Sequence, residues 1–210
     1  MNKETMMTEL RALVTADMSP KRARHTLAVE QMAARLAALY CPEQEQMLRI
    51  AALLHDVTKE WSTERHVEFM RAHGIEPTDM DLATPKTLHA RTAALLIPEQ
   101  YAEYASDEVI SAVRYHTTGR EDMTLTEQIV YLADYIDDSR TFPDCVTLRN
   151  AFWGAEPENM TQSERETHLL RVLVQSFDLT IAGLIEDGAP VSADTFLARN
   201  SLILKLKIEK

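Results

Sequence analysis

The sequence predicts an all-α protein, a compact multi-helix bundle with additional C-terminal helices. Three observations predict it. Glycine supplies only 5 of the 210 residues. Runs of β-branched residues are few, and apolar residues recur at steps of three and four, the period of a helix that buries one face. No internal repeat, low-complexity tract or long linker divides the chain. One domain over 1–210 is therefore expected, with a motif-bearing core at about 20–140 and C-terminal helices at about 144–205 packed on it.

Leu10, Leu13 and Val14 space a short first helix. In "SPKRARHTLAVEQMAARLAALY", Ser19 offers its hydroxyl to the first free amides, and Pro20 suits the first helical position, where no amide bond is lost. A third helix is expected from about Glu43 to Lys59. "STERHVEFMRAHG" reads as a fourth, stopped by Gly74, which tolerates the left-handed backbone of a helix end. "TPKTLHARTAALLI" forms a fifth, expected to end before Pro98, since a proline inside a helix removes a ladder bond and clashes with the preceding turn. "SDEVISAVRYHTTG" carries Val109, Ile110 and Val113 and stops at Gly119. "TLTEQIVYLADYIDD" opens on a capping box, Thr124 with Glu127. After the irregular "SRTFPD" come a short helix and "SERETHLLRVLVQSFDLTIAGLIEDG", where Ser163 and Glu166 fit a second box and Gly188 a stop. "SADTFLARNSLILKL" is the terminal helix.

Lys and Arg number 22 against 33 Asp and Glu, a formal net charge of −11. Such a surface repels nucleic-acid polymers and anionic membranes, so neither is an expected partner. A small phosphorylated metabolite stays compatible, because a pocket can be locally positive on an acidic protein. Cys41 and Cys145 lack CxxC spacing and read as reduced thiols. "MNKETMMTEL" has no apolar signal core and no run approaches a membrane span, so a cytoplasmic location is expected.

Polar residues interrupt the apolar stripes at chosen places. His25 is followed on its own face by Ala28, Val29, Met32 and Leu36. His55 and Asp56 close the apolar run "AALLHD". His89 precedes Ala93 and Leu96. His116 ends a helix, where carbonyl dipoles favour a cation, and Asp134 breaks into "IVYLADYI". Any one of them is ordinarily a hydrogen-bonded core residue. Together, four imidazoles and two carboxylates from five helices match the way bundles build metal sites, by projecting such side chains inward. Nitrogen and oxygen donors without thiolate suit Fe, Mn, Zn, Ni or Co and do not choose among them. His66, His73 and His168 lie in polar segments and read as solvated surface.

The spacing of His25, the His55–Asp56 pair and Asp134 resembles the HD superfamily of metal-dependent phosphohydrolases. "LLHDVTKE", "LHARTAALL", "AVRYHTTGR", "QIVYLADYIDDSRTF" and "IEDGAPVSADTFLARNSLI" narrow the likeness to its YqeK branch, the symmetrical bis(5′-nucleosyl)-tetraphosphatases. The similarity runs from about Pro20 to Ile203; Asp138 stands where the family pattern has proline. The resemblance implies a divalent ion on His25, His55, Asp56 and Asp134, with iron as the leading candidate and Mn, Co, Ni or Zn as alternatives. It allows a second ion through His89 and His116, and places Arg22, Lys59, His89, His116, Thr117 and Arg140 around the substrate phosphates. Asp134, Lys59 and His116 are then the catalytic candidates: proton acceptor, charge stabiliser and, with His89 as the alternative, leaving-group acid. The implied reaction is hydrolysis of Ap4A to two ADP, with a homodimer implied by the family. The rivals are another HD nucleotide phosphohydrolase, such as a nucleotidase or dNTP hydrolase, and a catalytically silent nucleotide-binding adaptor. Tyr101, Tyr104, Phe142 and Trp153 are candidates to stack on a base, at positions that packing residues also occupy.

Overall fold

The computed structural model describes residues 3–208, which form eleven α-helices and four short 3-10 turns with no strand among them. The element that organises the bundle is α2 (Pro20–Tyr40). It starts as the sequence predicts, with the Ser19 hydroxyl accepting from the Arg22 amide and Pro20 at its first position. Against α2 pack α3 (Glu45–Leu54) and α8 (Leu125–Ile136), and α7 (Asp107–Tyr115) closes on both α3 and α8. α6 (Leu88–Gln100) lies on the other side of α7. α1 (Lys3–Thr15) covers α3, burying Leu10 and Val14, while Leu13 stays 55% exposed instead of joining that face. Arg11 and Arg49 both bond the buried Glu30, which ties α1 and α3 to α2.

The chain leaves α3 at Leu54, five residues before the expected end, and runs through successive turns from His55 to Glu60. The reason lies outside the segment. The Thr58 hydroxyl donates to the His89 carbonyl at 2.8 Å and meets the Thr92 hydroxyl at 2.9 Å, so α6 draws these residues out of helical register. α4 (Thr63–Ala72) and a short α5 (Asp79–Ala83) follow. α5 escaped the periodicity because it is shorter than two turns; Thr78 and Asp81 cap it reciprocally. α6 runs through Pro98 to Gln100 rather than stopping before the proline. Pro98 falls in the last turn, so one ladder bond is forgone while buried Leu96 and Ile97 hold the helix to the core.

After α9 (Pro143–Gly154), α10 (Gln162–Glu186) packs on α9 and on α11 (Ala193–Ile208). The capping box of α10 is Thr161 with Glu164, two residues ahead of the expected Ser163 and Glu166; both pairs have the spacing, and the first closes it in space. By length and composition α10 is apolar enough to cross a membrane, contrary to the expectation that no run approaches one. Here one of its faces, with Leu169, Leu173 and Phe177, is buried in the protein. Phe177 stacks on Tyr131 of α8 with ring centroids 4.6 Å apart. It also presses on Gly119, whose φ is +64° and where a Cβ would lie 2.6 Å from the Phe177 ring and 2.8 Å from Ala198. Only glycine satisfies both demands. The C-terminal helices thereby clamp the turn that carries His116.

His66 departs from expectation. It is 4% exposed, with Nδ1 2.8 Å from the Thr92 hydroxyl. Burial, and then the charges of Lys59 and Arg65, push its imidazole down to about 4. Between about pH 4 and the ordinary 6.5 the unfolded chain binds a proton at this residue that the native state refuses. Stability therefore rises with pH across that window, and His66's share is lost as pH falls through it. In thermal denaturation at pH 4–7, His66→Gln is expected to flatten the acid limb of the Tm curve; an unchanged limb would remove His66 as its source. His73 and His168 are partly buried, bonded to the Phe69 and Phe152 carbonyls.

Candidate metal centre

Two of the four clustered histidines sit where a helix has carbonyls to spare. His55 follows α3 and its Nδ1–H donates to the Ala52 carbonyl at 2.6 Å; His116 follows α7 and donates to Val113 at 2.7 Å. The last carbonyls of a helix have no amide partner, so they are available to such rings. His89, in the first turn of α6, donates to Lys86 in the preceding turn at 2.9 Å. A carbonyl can only accept, so each Nδ1 carries the proton and each Nε2 turns a lone pair inward.

Those inward nitrogens meet two carboxylates. His25 Nε2 lies 3.0 Å from Asp134 Oδ1 and 3.7 Å from Asp56 Oδ2. His55 Nε2 lies 3.3 Å from Asp56 Oδ2 and 3.7 Å from Asp134 Oδ1. The donor atoms of His25, His55 and Asp134 all fall within 4.8 Å of one another, as do those of His55, Asp56 and His116. His89 Nε2 is 3.2 Å from Asp56 Oδ1 and 3.0 Å from His116 Nε2, with the Thr117 hydroxyl 3.2–3.3 Å from both rings. The decisive feature is that His25 Nε2 and His55 Nε2 are buried and have no hydrogen-bond partner. Unpaired nitrogens converging on one buried and one half-buried carboxylate fit a divalent metal ion, whose positive charge both donor types would accept.

The electrostatics agree. Burial opposes the charge on Asp56, yet His55, His116 and His89 outweigh it and hold the carboxyl well below its ordinary range. Asp134 is held down in the same way, against burial, by Arg140, His25 and His55. Burial pushes His89 down to about 3 and lowers His116, keeping both rings in the neutral, ligating form. At His25 burial is overcome by Asp134 and Asp137, which raise it to about 9: the site calls for positive charge at that point.

Three cations stand over the cluster. Arg22 bonds Asp56, Arg140 bonds Asp134, and Lys59 Nζ lies 3.2 Å from each ring nitrogen of His89. Burial lowers Lys59. Arg22 and Arg140 are partly exposed and face outward as well as toward the carboxylates. Lys59 arrives from a turn, its amide bonding the Asp56 carbonyl at 2.9 Å, and not from the helix that the sequence suggested. Every residue proposed from the sequence for metal or phosphate thus falls in one cluster. Of the base-stacking candidates, Tyr104 is buried, Tyr101 and Trp153 are half-buried, and only Phe142 stands free at 65% exposure. Sequence reasoning missed Asp137, which approaches His25, and the Thr58–Thr92 pair beneath His89. Nothing in "IDDSR" tells the buried Asp137 from the exposed Asp138.

Residues 22–138, which span all of these histidines and aspartates, match the HD domain family. The chain is 30% identical to a symmetrical bis(5′-nucleosyl)-tetraphosphatase of Halalkalibacterium halodurans, over 93% of this chain and 96% of that protein. It is 31% identical to the protein of the same name from Bacillus subtilis, over 97% and 98%. A crystal structure from Clostridium acetobutylicum, described as a predicted HD superfamily hydrolase involved in NAD metabolism, is 32% identical with a TM-score of 0.81, covering 94% of this chain and 97% of that one. The chain belongs to the HD superfamily of phosphohydrolases, in the branch of the symmetrical bis(5′-nucleosyl)-tetraphosphatases.

Proposed function

We propose that this protein hydrolyses dinucleoside tetraphosphates symmetrically, Ap4A to two ADP, through a divalent ion on His25, His55, Asp56 and Asp134. The single observation that carries the reading is the pairing of two unpartnered inward imidazole nitrogens with three cations beside the carboxylates they converge on, a metal-type cage flanked by side chains suited to an anion. When bound, the ion supplies Lewis-acid polarisation and a water acidified toward neutrality. Iron is the ion we favour, and a second ion between His89 and His116 belongs to the same proposal.

The chain's own residues do the rest. Asp134, ionised despite its burial, accepts the proton of the attacking water. Arg22, Lys59 and Arg140 neutralise the polyphosphate and the charge that grows on its oxygens as the bond breaks, Arg140 with a planar fork suited to phosphate. The Thr117 hydroxyl, between His89 and His116, is placed to bond a phosphate oxygen. Because burial holds the His89 and His116 rings unprotonated, the Lys59 ammonium, 3.2 Å from His89 Nε2, is the protonated group nearest them and supplies the proton to the departing diphosphate, while His116 Nε2 stays an acceptor facing the site. We read the chain as one HD-type unit, cytoplasmic, its buried cysteines Cys41 and Cys145 free, and homodimeric.

Incubating the purified protein with Ap4A and added Fe, Mn, Co or Ni, then resolving the nucleotides, is expected to yield ADP as the only product. AMP with ATP would refute symmetrical cleavage. Faster hydrolysis of mononucleotides would make the protein a nucleotidase, and no turnover with any ion would make it a silent binder.

A further inference from the structure

We propose that Asp137 is a positioning residue of the metal centre: its carboxylate orients His25 so that Nε2, and not Nδ1, presents a lone pair to the ion. The inference rests on the metal-centre reading above. Its origin is a difference among the four histidines. His55, His89 and His116 each fix their tautomer on a carbonyl at or beside a helix terminus. His25 has no such carbonyl, because it sits inside α2, where the carbonyls of the preceding turn are already bonded within the helix. Its ring must find an acceptor elsewhere.

The acceptor comes from the loop after α8. Asp137 Oδ2 lies 3.3 Å from His25 Nδ1, and the Ser139 hydroxyl oxygen lies 3.4 Å from the same nitrogen. The Ser139 hydroxyl donates to Asp137 Oδ1, so the oxygen it shows His25 is a lone pair. Both neighbours of Nδ1 are thus acceptors, Nδ1 carries the proton, and Nε2 is left bare toward Asp134 and Asp56. Asp137 is itself held firmly. It is 0% exposed, and Oδ1 takes the Ser139 amide at 2.8 Å as well as the hydroxyl. Oδ2 is buried with no hydrogen-bond partner in this geometry and lies against His25 Nδ1 and Arg140 Nε, each 3.3 Å away. Arg149 of α9 pins the loop by bonding the carbonyls of Asp137 and Arg140. A carboxylate, an imidazole and a metal in sequence are an arrangement whose outer member sets the orientation and basicity of the ligand.

The donor inventory makes Asp137→Asn a sharp test. Oδ1 is surrounded by donors from Ser139 and Oδ2 by donors from His25 and Arg140, so an amide NH2 fits neither side. Facing His25, it donates to Nδ1 and moves the ring proton to Nε2, where a cation cannot bind. Wild-type protein, Asp137→Asn, Ser139→Ala and His25→Ala are loaded with Co2+, and affinity is read by competition with a chromophoric chelator together with the visible spectrum of the bound ion. Asp137→Asn is expected to bind Co2+ about 10–100-fold more weakly, with a changed spectrum at saturation, measured well below its own Tm so that stability does not enter. Ser139→Ala is expected to weaken binding less, in the same direction, and carries the test if Asp137→Asn does not fold. Unchanged affinity and spectrum in the folded variant would overturn the positioning role while leaving the metal centre standing. Wild-type binding no tighter than His25→Ala would instead sink the metal-centre reading, and this inference with it.

Discussion

Asp56→Asn is expected to lose bound divalent metal and turnover together, with kcat lower by roughly 10³-fold or more. Asp56 is 3% exposed, and all four imidazoles of the cluster approach it within 4 Å. It is the one carboxylate shared by the His25–His55 side of the site and the His89–His116 side. An amide of the same shape keeps the packing and removes the charge. Arg22 then faces a neutral group, and the cage keeps one anionic donor in place of two. A metal's stabilisation of the transition state is worth several kcal/mol, and each 1.36 kcal/mol is a decade in rate, which sets the size of the loss. Metal content by elemental analysis and kcat on Ap4A, from one preparation shown folded by circular dichroism, check it. A folded variant that keeps its metal and turns over normally would remove Asp56 from the ligand set.

Arg140→Lys is expected to retain metal and to lose about 10²–10³-fold in kcat/KM for Ap4A, the scale for removing an aimed donor from a developing charge. Arg140 bonds Asp134 while its Nε lies 3.3 Å from Asp137, so the guanidinium plane is set by two carboxylates. Those carboxylates raise its pKa against the effect of burial, so it stays charged at every working pH. Lysine keeps the charge but offers one point where arginine offers a fork, and cannot hold Asp134 and a phosphate oxygen together. The pair of results separates the roles. Asp56→Asn empties the cage, whereas Arg140→Lys leaves it filled and unable to grip substrate. Metal content equal to wild type with unimpaired kcat/KM would remove Arg140 from the proposed phosphate-binding residues.

Much of the site was legible in one dimension because its residues violate a local rule. Imidazoles and carboxylates on stripes otherwise made of Ala, Val, Leu and Ile require a partner, and that requirement shows without coordinates. Helix starts were legible for a similar reason: Ser19 and the Thr124–Glu127 pair satisfy amides within three residues of themselves. Where a decision depends on contacts from afar, the same reasoning failed. The end of α3 is set by Thr58 reaching to α6, the passage through Pro98 by burial of its neighbours, and the burial of His66 by Thr92 across the bundle.

Periodicity, capping chemistry and the cost of burying polar groups were enough to read the all-α class, most helix starts and the set of imidazoles and carboxylates that cluster. Which carboxylate approaches His25, why Gly119 tolerates no side chain and how Arg140 is aimed came from the fold. Those depend on distances between helices far apart in the chain, and a distance of 3.3 Å between His25 and Asp137 leaves no trace in their order.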